Sequence, residues 1–145
     1  MRTTSWSLPI GAQPDERGAR FRVWAANARA AEVVLYDGDR EIAAHPLAPE
    51  PGGYFAGHIA GAGPGARYMY RLDGGDPRPD PASRRQPAGV HGPSQVVDPA
   101  FDWTDAGWRG LPLEELVIYE LHVGAATTAG TFEALIERLD DLHQG

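Results

Sequence analysis

Residues 67–73, RYMYRLD, are the clearest strand in this sequence and decide its fold class. Two tyrosines and a leucine occupy alternate positions in this run, with arginine, methionine and aspartate between them. A period of two is typical of a β-strand with one buried face, because successive side chains point to opposite sides of the sheet. Residues 61–65, GAGPG, interrupt the pattern just before the run. The stretch therefore predicts a half-buried strand.

Similar short runs recur toward the amino terminus. Residues 20–24, 31–36 and 53–59 each predict a strand. Asp37-Gly38 predicts a type I′ hairpin turn, followed by a partner strand over residues 40–47, because these residue types tolerate positive φ angles. Short strands about ten residues apart, separated by Gly and Pro turns, predict a mainly β fold with a β-sandwich in residues 1–98.

The pattern changes after residue 73. Residues 76–95 contain five prolines and predict an irregular connector, since proline has no amide hydrogen to donate. Val96 and Val97 predict an edge strand.

A different unit follows from residue 116. Residues 116–123, LVIYELHV, form a nearly continuous apolar run, as in a strand covered on both faces of a parallel sheet. Thr131 is a predicted helix cap, and apolar residues follow it at helical spacing: Phe132, Leu135, Ile136, Leu139 and Leu142. We therefore expect residues 99–115 to be a linker and residues 116–145 to be the first strand and helix of an incomplete (β/α)8 barrel.

Charge and composition restrict the partners. The formal net charge of −7 disfavours nucleic acid, whose binding depends on Lys and Arg. The absence of cysteine excludes disulfides, thiol catalysis and Cys-ligated zinc. No apolar run reaches the roughly 20 residues of a membrane span, and the start lacks a signal-peptide stretch. We expect a cytoplasmic protein with a neutral ligand and no membrane partner.

Several segments together resemble one enzyme superfamily. Residues 18–25 (GARFRVWA) and 68–74 (YMYRLDG) resemble the first and a late strand of an early-set carbohydrate-binding module, and residues 116–124 (LVIYELHVG) resemble the first barrel strand of alpha-amylase superfamily enzymes, glycoside hydrolase family 13. Residues 79–98, with the motifs PDPASR and GVHGPS, look like the maltooligosyltrehalose trehalohydrolases in particular. The family usually has Pro at Ala26 and Thr-Phe in place of residues 125–126.

This resemblance implies an immunoglobulin-like sandwich of the carbohydrate-binding module family 48 type. It also implies a parent enzyme of carbohydrate metabolism and trehalose biosynthesis that hydrolyses the α-1,4-glucosidic bond of maltooligosyltrehalose and releases trehalose. The family's catalytic Asp, Glu and second Asp belong to later barrel motifs that are absent here. We therefore expect an amino-terminal fragment without catalytic residues of its own.

Sugar binding by the sandwich would need exposed aromatic rings, because rings offer apolar faces to the axial hydrogens of glucose. The aromatic candidates by type are Trp6, Trp24, Tyr54, Trp103 and Trp108. Large aromatics are mostly buried, so core or interdomain packing is expected for each, and Tyr54, after a Gly-Gly loop, is the preferred binding residue. His122 approaches the carboxyl end of the predicted barrel strand, where barrel active sites lie, and is the second substrate-binding candidate. Its alternative role is a hydrogen-bonded core histidine.

No cofactor or metal is predicted. The remaining histidines, His45, His58, His91 and His143, lack a paired ligand spacing such as His-x-x-x-His.

Three alternatives remain open at this stage. The chain could be a stand-alone glucan-binding module, or part of a glycogen debranching or branching enzyme. It could also be a non-catalytic interaction domain that self-associates through the apolar surface of residues 116–143.

Overall fold

The computed structural model describes residues 9–144, with side chains described through residue 141. The chain divides into two units, the first running to Phe101 and the second beginning at Asp102. The first unit contains the strands β1 Gly11–Asp15, β2 Gly18–Trp24, β3 Ala31–Asp37, β4 Arg40–Glu50, β5 Tyr54–Ala60, β6 Arg67–Leu72 and β7 Ser94–Gln95.

The strands pair antiparallel throughout, in the order β1-β2-β5-β4-β3-β6-β7. Strand β4 belongs to both halves of this sheet, because residues 40–47 pair with β3 and residues 48–50 pair with β5. Pro46 and Pro49 lie near this change of partner, where a missing amide hydrogen weakens pairing on one side. The sheet curls on itself, and the predicted mainly β, immunoglobulin-like class is confirmed.

The core lies between the two halves of the curled sheet. Phe21, Val33 and Tyr68 are essentially inaccessible to solvent. The Phe21 and Tyr68 rings meet edge to face at 4.9 Å, and Tyr68 meets Tyr70 at 5.7 Å. Each such side chain contributes about 1.5 to 3 kcal/mol by leaving water. The strand predicted over residues 67–73 is therefore present as β6, and its two tyrosines belong to the core.

The alternation in β6 is less regular than the sequence indicates. Tyr68 and Tyr70 face the core as predicted. Met69, on the opposite face, is also buried at 9% exposure, opposite the fully buried Val34 of β3, whereas Leu72 is 36% exposed. Buried apolar side chains therefore lie on both faces of this half of the sheet.

The predicted hairpin is present, but the predicted turn type is wrong. Asp37 still pairs with Arg40, so Gly38 and Asp39 are the central residues of the turn. Gly38 has a φ of 60°, whereas Asp39 does not adopt a positive φ. A type I′ turn needs positive φ at both central residues, and glycine at the first position alone is typical of type II′.

Two edge strands differ from the prediction. The carboxyl-terminal edge strand is β7, two residues before the predicted Val96–Val97, and the amide of Val96 bonds instead to the oxygen of Ala66 in a loop. Strand β1, which contains Pro14, was not predicted. Among the described strands it lies at the sheet edge and pairs with β2 alone, a position where proline is tolerated. The proline-rich connector is irregular, as predicted.

In the second unit the predicted barrel strand is absent. Residues 116–122 have no regular structure and lie between a 3₁₀ turn, Leu113–Glu115, and the short helix α1, Val123–Ala126. A parallel strand is stable only beside neighbours that bond its amides and cover its faces, so the assignment of these residues to a barrel domain stays a prediction. Within residues 9–144 no strand pairs with this segment.

The predicted long helix is divided into α2, Phe132–Ile136, and α3, Leu139–Gln144. Its start is confirmed: the Thr131 hydroxyl accepts a hydrogen bond from the Ala134 amide at 3.2 Å. The break is a tight turn in which the Arg138 amide donates to the Leu135 oxygen. No residue of α2 is fully buried, so tertiary packing does little to stabilise a longer helix.

Candidate functional site

One outer face of the sheet carries aromatic and charged side chains. In β2, Ala19, Phe21 and Val23 point into the core, so the alternate residues point outward. These outward residues adjoin the start of β5 and the end of β4. We call the resulting surface the Trp24 face, formed by Arg20, Arg22, Trp24, Glu50 and Tyr54.

Trp24 is the exposed aromatic side chain of this face. It is 58% exposed although it belongs to a paired strand. Its indole Nε1 donates to the Gly52 oxygen at 3.1 Å, which fixes the orientation of the ring. The result is an apolar ring that is held in place yet open to solvent.

Tyr54 is the register partner of Trp24 on β5. The guanidinium carbon of Arg22 lies 3.7 Å from the centroid of the Tyr54 ring. A side chain at Gly52 would lie 3.6 Å from Cδ2 of the same ring, so the backbone of Gly52 also approaches it. Tyr54, predicted as a binding residue, is therefore partly covered by its neighbours.

Glu50 holds the two arginines of the Trp24 face. It accepts hydrogen bonds from Arg20 Nη2 and Arg22 Nε, each at 2.7 Å. The hydrogen bond from Arg22, followed by the charges of both guanidinium groups, holds the pKa of the Glu50 carboxyl below its usual value. Arg22 also donates to the Pro9 oxygen at 2.9 Å. Its guanidinium is thus fixed over Tyr54.

A glycine turn brings Trp24 and Tyr54 together. Gly52 and Gly53 have φ values of 80° and 81°, which favour glycine. A Cβ on Gly53 would lie 2.7 Å from Cα and Cβ of Ala26, closer than two carbon atoms can approach. The Ala25 amide donates to the Gly53 oxygen at 2.8 Å. The loop at residues 25–26 and the loop at residues 52–53 therefore lie close together, and this contact sets the shape of the Trp24 face.

Farther along β5, His58 pairs with Asp15 at 3.0 Å. The Arg17 amide, and then the His58 side chain, lower the pKa of Asp15. The pair is exposed and closes the β1–β2 hairpin. Among the residues that the structure describes, no group of three His, Asp or Glu side chains could hold a metal ion.

A buried polar network attaches the connector to the core. Asp80, 3% exposed, accepts a hydrogen bond from the Tyr68 hydroxyl at 2.6 Å. Its amide donates to the Ser94 hydroxyl at 3.0 Å, and its other carboxylate oxygen accepts from the Ala82 amide at 2.7 Å. Burial raises the pKa of Asp80 despite these hydrogen bonds. This carboxyl is enclosed, and its hydrogen bonds stabilise the attachment of the connector to the core.

His122, the other predicted binding residue, lies in the second unit. It is exposed and precedes α1. It lines an open cavity of about 450 Å³ together with Tyr119, Glu120, Arg138 and Asp141. The alternative of a hydrogen-bonded core histidine concerns a complete barrel and stays a prediction.

Core packing is not observed for the exposed tryptophans, and interdomain packing stays a prediction for them. Trp103 and Trp108, in the second unit, are 73% and 62% exposed. Trp6 lies outside the described residues. Sequence reasoning missed the roles of Trp24, Arg22 and Glu50, although the alternation in β2 already placed Trp24 on the same face as Arg20 and Arg22.

The first unit is a small antiparallel β-sandwich module with an exposed, hydrogen-bonded aromatic ring on its outer face. The chain belongs to the carbohydrate-binding module 48 family, described as the isoamylase N-terminal domain, whose sequence profile matches residues 9–99. Within residues 9–144 no helix is long and apolar enough to cross a membrane.

The predicted resemblance to maltooligosyltrehalose trehalohydrolases is confirmed. The chain is 42% identical over 144 residues to the malto-oligosyltrehalose trehalohydrolase of Deinococcus radiodurans, covering 99% of the chain and 22% of that protein. It is 39% identical over 137 residues to that of Saccharolobus solfataricus, covering 94% of the chain and 24% of that protein. The chain thus spans less than a quarter of the length of these relatives.

A solved structure has a similar fold. A Salmonella typhimurium protein described as a candidate alpha amylase superposes with a TM-score of 0.75 at 35% identity, over 94% of this chain and 23% of that one.

Proposed function

We propose that this chain forms the amino-terminal part of a maltooligosyltrehalose trehalohydrolase. The parent enzyme would hydrolyse the α-1,4-glucosidic bond next to the terminal trehalose unit and release trehalose. Support comes from the 42% and 39% identity to curated trehalohydrolases, which extends through residues of both units. In this proposal residues 1–98 are the carbohydrate-binding module, 99–115 a linker and 116–145 the start of a barrel domain. A cytoplasmic location is part of the proposal.

Within that enzyme, the module would bind α-1,4-glucan. The observation that carries this proposal is the Trp24 face, where an oriented and exposed ring lies beside Tyr54. Aromatic rings offer an apolar surface to the C–H groups of sugars, and polar groups beside them fix the orientation of the ligand. Tyr54 would contribute its ring edge and hydroxyl. His122 would line the sugar site of the complete barrel.

The 145-residue chain is proposed to lack hydrolase activity. Glycoside hydrolysis requires an accessible carboxylic acid with a raised pKa about 5 to 10 Å from a second carboxylate. Among the described residues, Asp80 is the carboxyl whose pKa is raised, and it is enclosed under Tyr68. The pKa values of Asp15 and Glu50 are lowered instead, so these groups are poor proton donors.

The direct test combines binding and turnover on the purified chain. We expect calorimetry to detect maltoheptaose binding. We expect no release of trehalose from maltooligosyltrehalose at any concentration of the chain. Trehalose release would refute the non-catalytic assignment. No heat at millimolar maltoheptaose would refute glucan binding by the module. A chain that binds glucan without any hydrolase parent would instead be a stand-alone module, and sequencing the DNA after the Gly145 codon distinguishes these two possibilities.

A branching or debranching enzyme is the second candidate parent. The chain is 39% identical over 132 residues to the 1,4-alpha-glucan branching enzyme GlgB of Ralstonia nicotianae, covering 78% of the chain and 16% of that protein. Residues 79–98 are the feature that favours the trehalohydrolases. The same downstream DNA sequence decides between the two parents.

Self-association is a further proposal, based on the second unit. Large apolar side chains are exposed there, including Val117 at 94%, Ile118 at 83% and Phe132 at 70%. Exposed apolar surface of this extent favours association. We expect sedimentation velocity to give a mass that rises with concentration, and we expect the double variant Val117→Ser, Ile118→Ser to shift the chain toward monomer. A wild-type chain that stays monomeric at all concentrations would contradict the proposal.

A further inference from the structure

We propose that the Asp37-Gly38 turn is a modification site, at which the normal aspartyl link converts to an isoaspartyl link through a succinimide ring. Asp-Gly occurs twice in this sequence, at residues 37–38 and 73–74. The structure distinguishes the two copies, because Asp37 is open to reaction and Asp73 is held in place. The reaction needs no bound ligand and does not depend on the proposed function.

The chemistry takes place between the Asp37 side chain and the amide that follows it. The Gly38 nitrogen attacks the Cγ atom of the protonated carboxyl, its proton leaves with the carboxyl hydroxyl as water, and a five-membered ring forms. Water then adds to one of the two ring carbonyls. Addition at Cγ restores aspartate, whereas addition at the main-chain carbonyl carbon gives isoaspartate, whose chain continues through the side-chain carboxyl group. No oxidant or other co-reactant is consumed, and the product has the mass of the original chain.

The Asp37 carboxylate is weakly held. Its side chain is 74% exposed, and it meets Arg40 Nη2 at 3.5 Å, in a side chain that is itself 77% exposed. A contact of this length between exposed groups contributes little to the free energy of the fold. The carboxyl group of Asp37 can therefore turn toward the next amide.

Gly38 leaves that amide accessible. Glycine has no Cβ to shield its own nitrogen, and a Cβ built there would have nothing within 4 Å apart from its chain neighbours. Gly38 and Asp39 form the exposed tip of the hairpin between β3 and β4. Exposed loop tips belong to the least stable parts of a fold, so this turn can reach the geometry that ring closure needs.

Asp73 is also followed by glycine, but its environment differs. Its Oδ1 accepts hydrogen bonds from the amides of Arg29 and Ala30, at 2.8 and 2.9 Å. Its own amide donates to the Ala30 oxygen at 3.0 Å. Attack by the Gly74 nitrogen would require both bonds to Oδ1 to break. Asp73 is exposed, as Asp37 is, so hydrogen bonding and not accessibility distinguishes the two sites.

Isomerisation is expected to alter the hairpin. An isoaspartyl link adds one carbon atom to the main chain at the turn, where Asp37 and Arg40 are register partners. Two-residue hairpin loops fit only a few backbone geometries. The added atom is therefore expected to separate Asp37 from Arg40 and to loosen this end of β3 and β4.

The test is incubation of the folded chain at neutral pH and physiological temperature, followed by trypsin digestion. The two sites fall in different tryptic peptides, residues 30–40 and 72–84. Isoaspartate in each peptide is measured by methyl transfer from S-adenosylmethionine with an isoaspartyl methyltransferase. We expect the peptide that contains Asp37 to gain isoaspartate several-fold faster than the peptide that contains Asp73.

Two variants and one change of solvent complete the experiment. Asp37→Glu is expected to remove most of the signal, because its ring would be six-membered and forms far more slowly. Asp39→Glu, in the same turn but followed by arginine, is the matched control and is expected to keep the signal. In concentrated urea, which removes the hydrogen bonds of Asp73, we expect the two peptides to react at similar rates.

Each outcome decides for or against the proposal. Faster reaction at Asp37 in the folded chain, lost in Asp37→Glu and levelled in urea, supports it. No isoaspartate at Asp37, or equal amounts in the two peptides of the folded chain, overturns it. A preference for Asp37 that persists in urea overturns the protective role of the hydrogen bonds to Asp73.

Discussion

Gly18→Ala is expected to destabilise the first unit by about 3 kcal/mol, which lowers its Tm by roughly 15 °C. A Cβ at this position would overlap the carbonyl oxygen of Ile59, and it would lie 2.9 Å from the Gly61 nitrogen and 3.0 Å from the Ala60 Cα. All three atoms belong to the backbone, so no side-chain rotation relieves the overlap. Strand β2 would have to separate from β5 at this end.

Thermal and urea unfolding, followed by far-UV circular dichroism, measure this loss. Gly63→Ala is the matched control in a nearby loop, because a Cβ there has nothing within 4 Å. We expect the control to be neutral or to gain about 0.5 kcal/mol from reduced freedom of the unfolded chain. Equal stability of the two variants would show that the β2–β5 contact is looser than the structure describes.

Tyr68→Phe is expected to cost about 2 to 4 kcal/mol at neutral pH. The substitution removes the 2.6 Å hydrogen bond to Asp80 and leaves a buried carboxylate with less compensation. The same unfolding measurements, made from pH 7 down to pH 4, follow both the loss and its pH dependence.

The sign of that pH dependence follows from Asp80. Burial raises its pKa above the ordinary value of 3.8, so the protonated form favours the folded chain. The stability that Asp80 contributes is complete below that ordinary pKa and is lost as the pH rises through the folded-state pKa. The Tyr68 hydrogen bond moderates this shift, and its removal raises the Asp80 pKa further. The deficit of Tyr68→Phe should therefore shrink as the pH falls. A deficit that grows toward pH 4 would contradict this role of Asp80.

Tyr70→Phe is the control for Tyr68→Phe. Tyr70 lies two residues along β6 and is equally buried, at 3% exposure against 1%. Its hydroxyl has no hydrogen-bond partner among the described residues, although the Arg22 backbone is near it. Removing an unsatisfied buried hydroxyl is expected to be neutral or to stabilise by about 1 kcal/mol.

The candidate site was only partly predictable. Tyr54 was chosen because it follows two glycines, and those glycines do shape the Trp24 face. Trp24 was assigned to packing on the general tendency of tryptophan to be buried, although its position in the alternation of β2 points outward. The role of Glu50 could not be derived from local pattern, since it lies about 30 positions from Arg20 and Arg22 and meets them only through the pairing of β2, β5 and β4.

The sequence by itself determined the positions of strands β2 to β6 and the inward direction of Tyr68 and Tyr70, because side-chain alternation is a property of a single strand. It also determined the Thr131 helix cap, because that hydrogen bond spans only three residues and is local. Tertiary structure decided the change of partner along β4, the edge position of β1, the meeting of Trp24 with Tyr54, and the absence of a strand at residues 116–122. A strand exists only when a distant segment supplies its hydrogen bonds and covers its faces, and local sequence does not encode that partner.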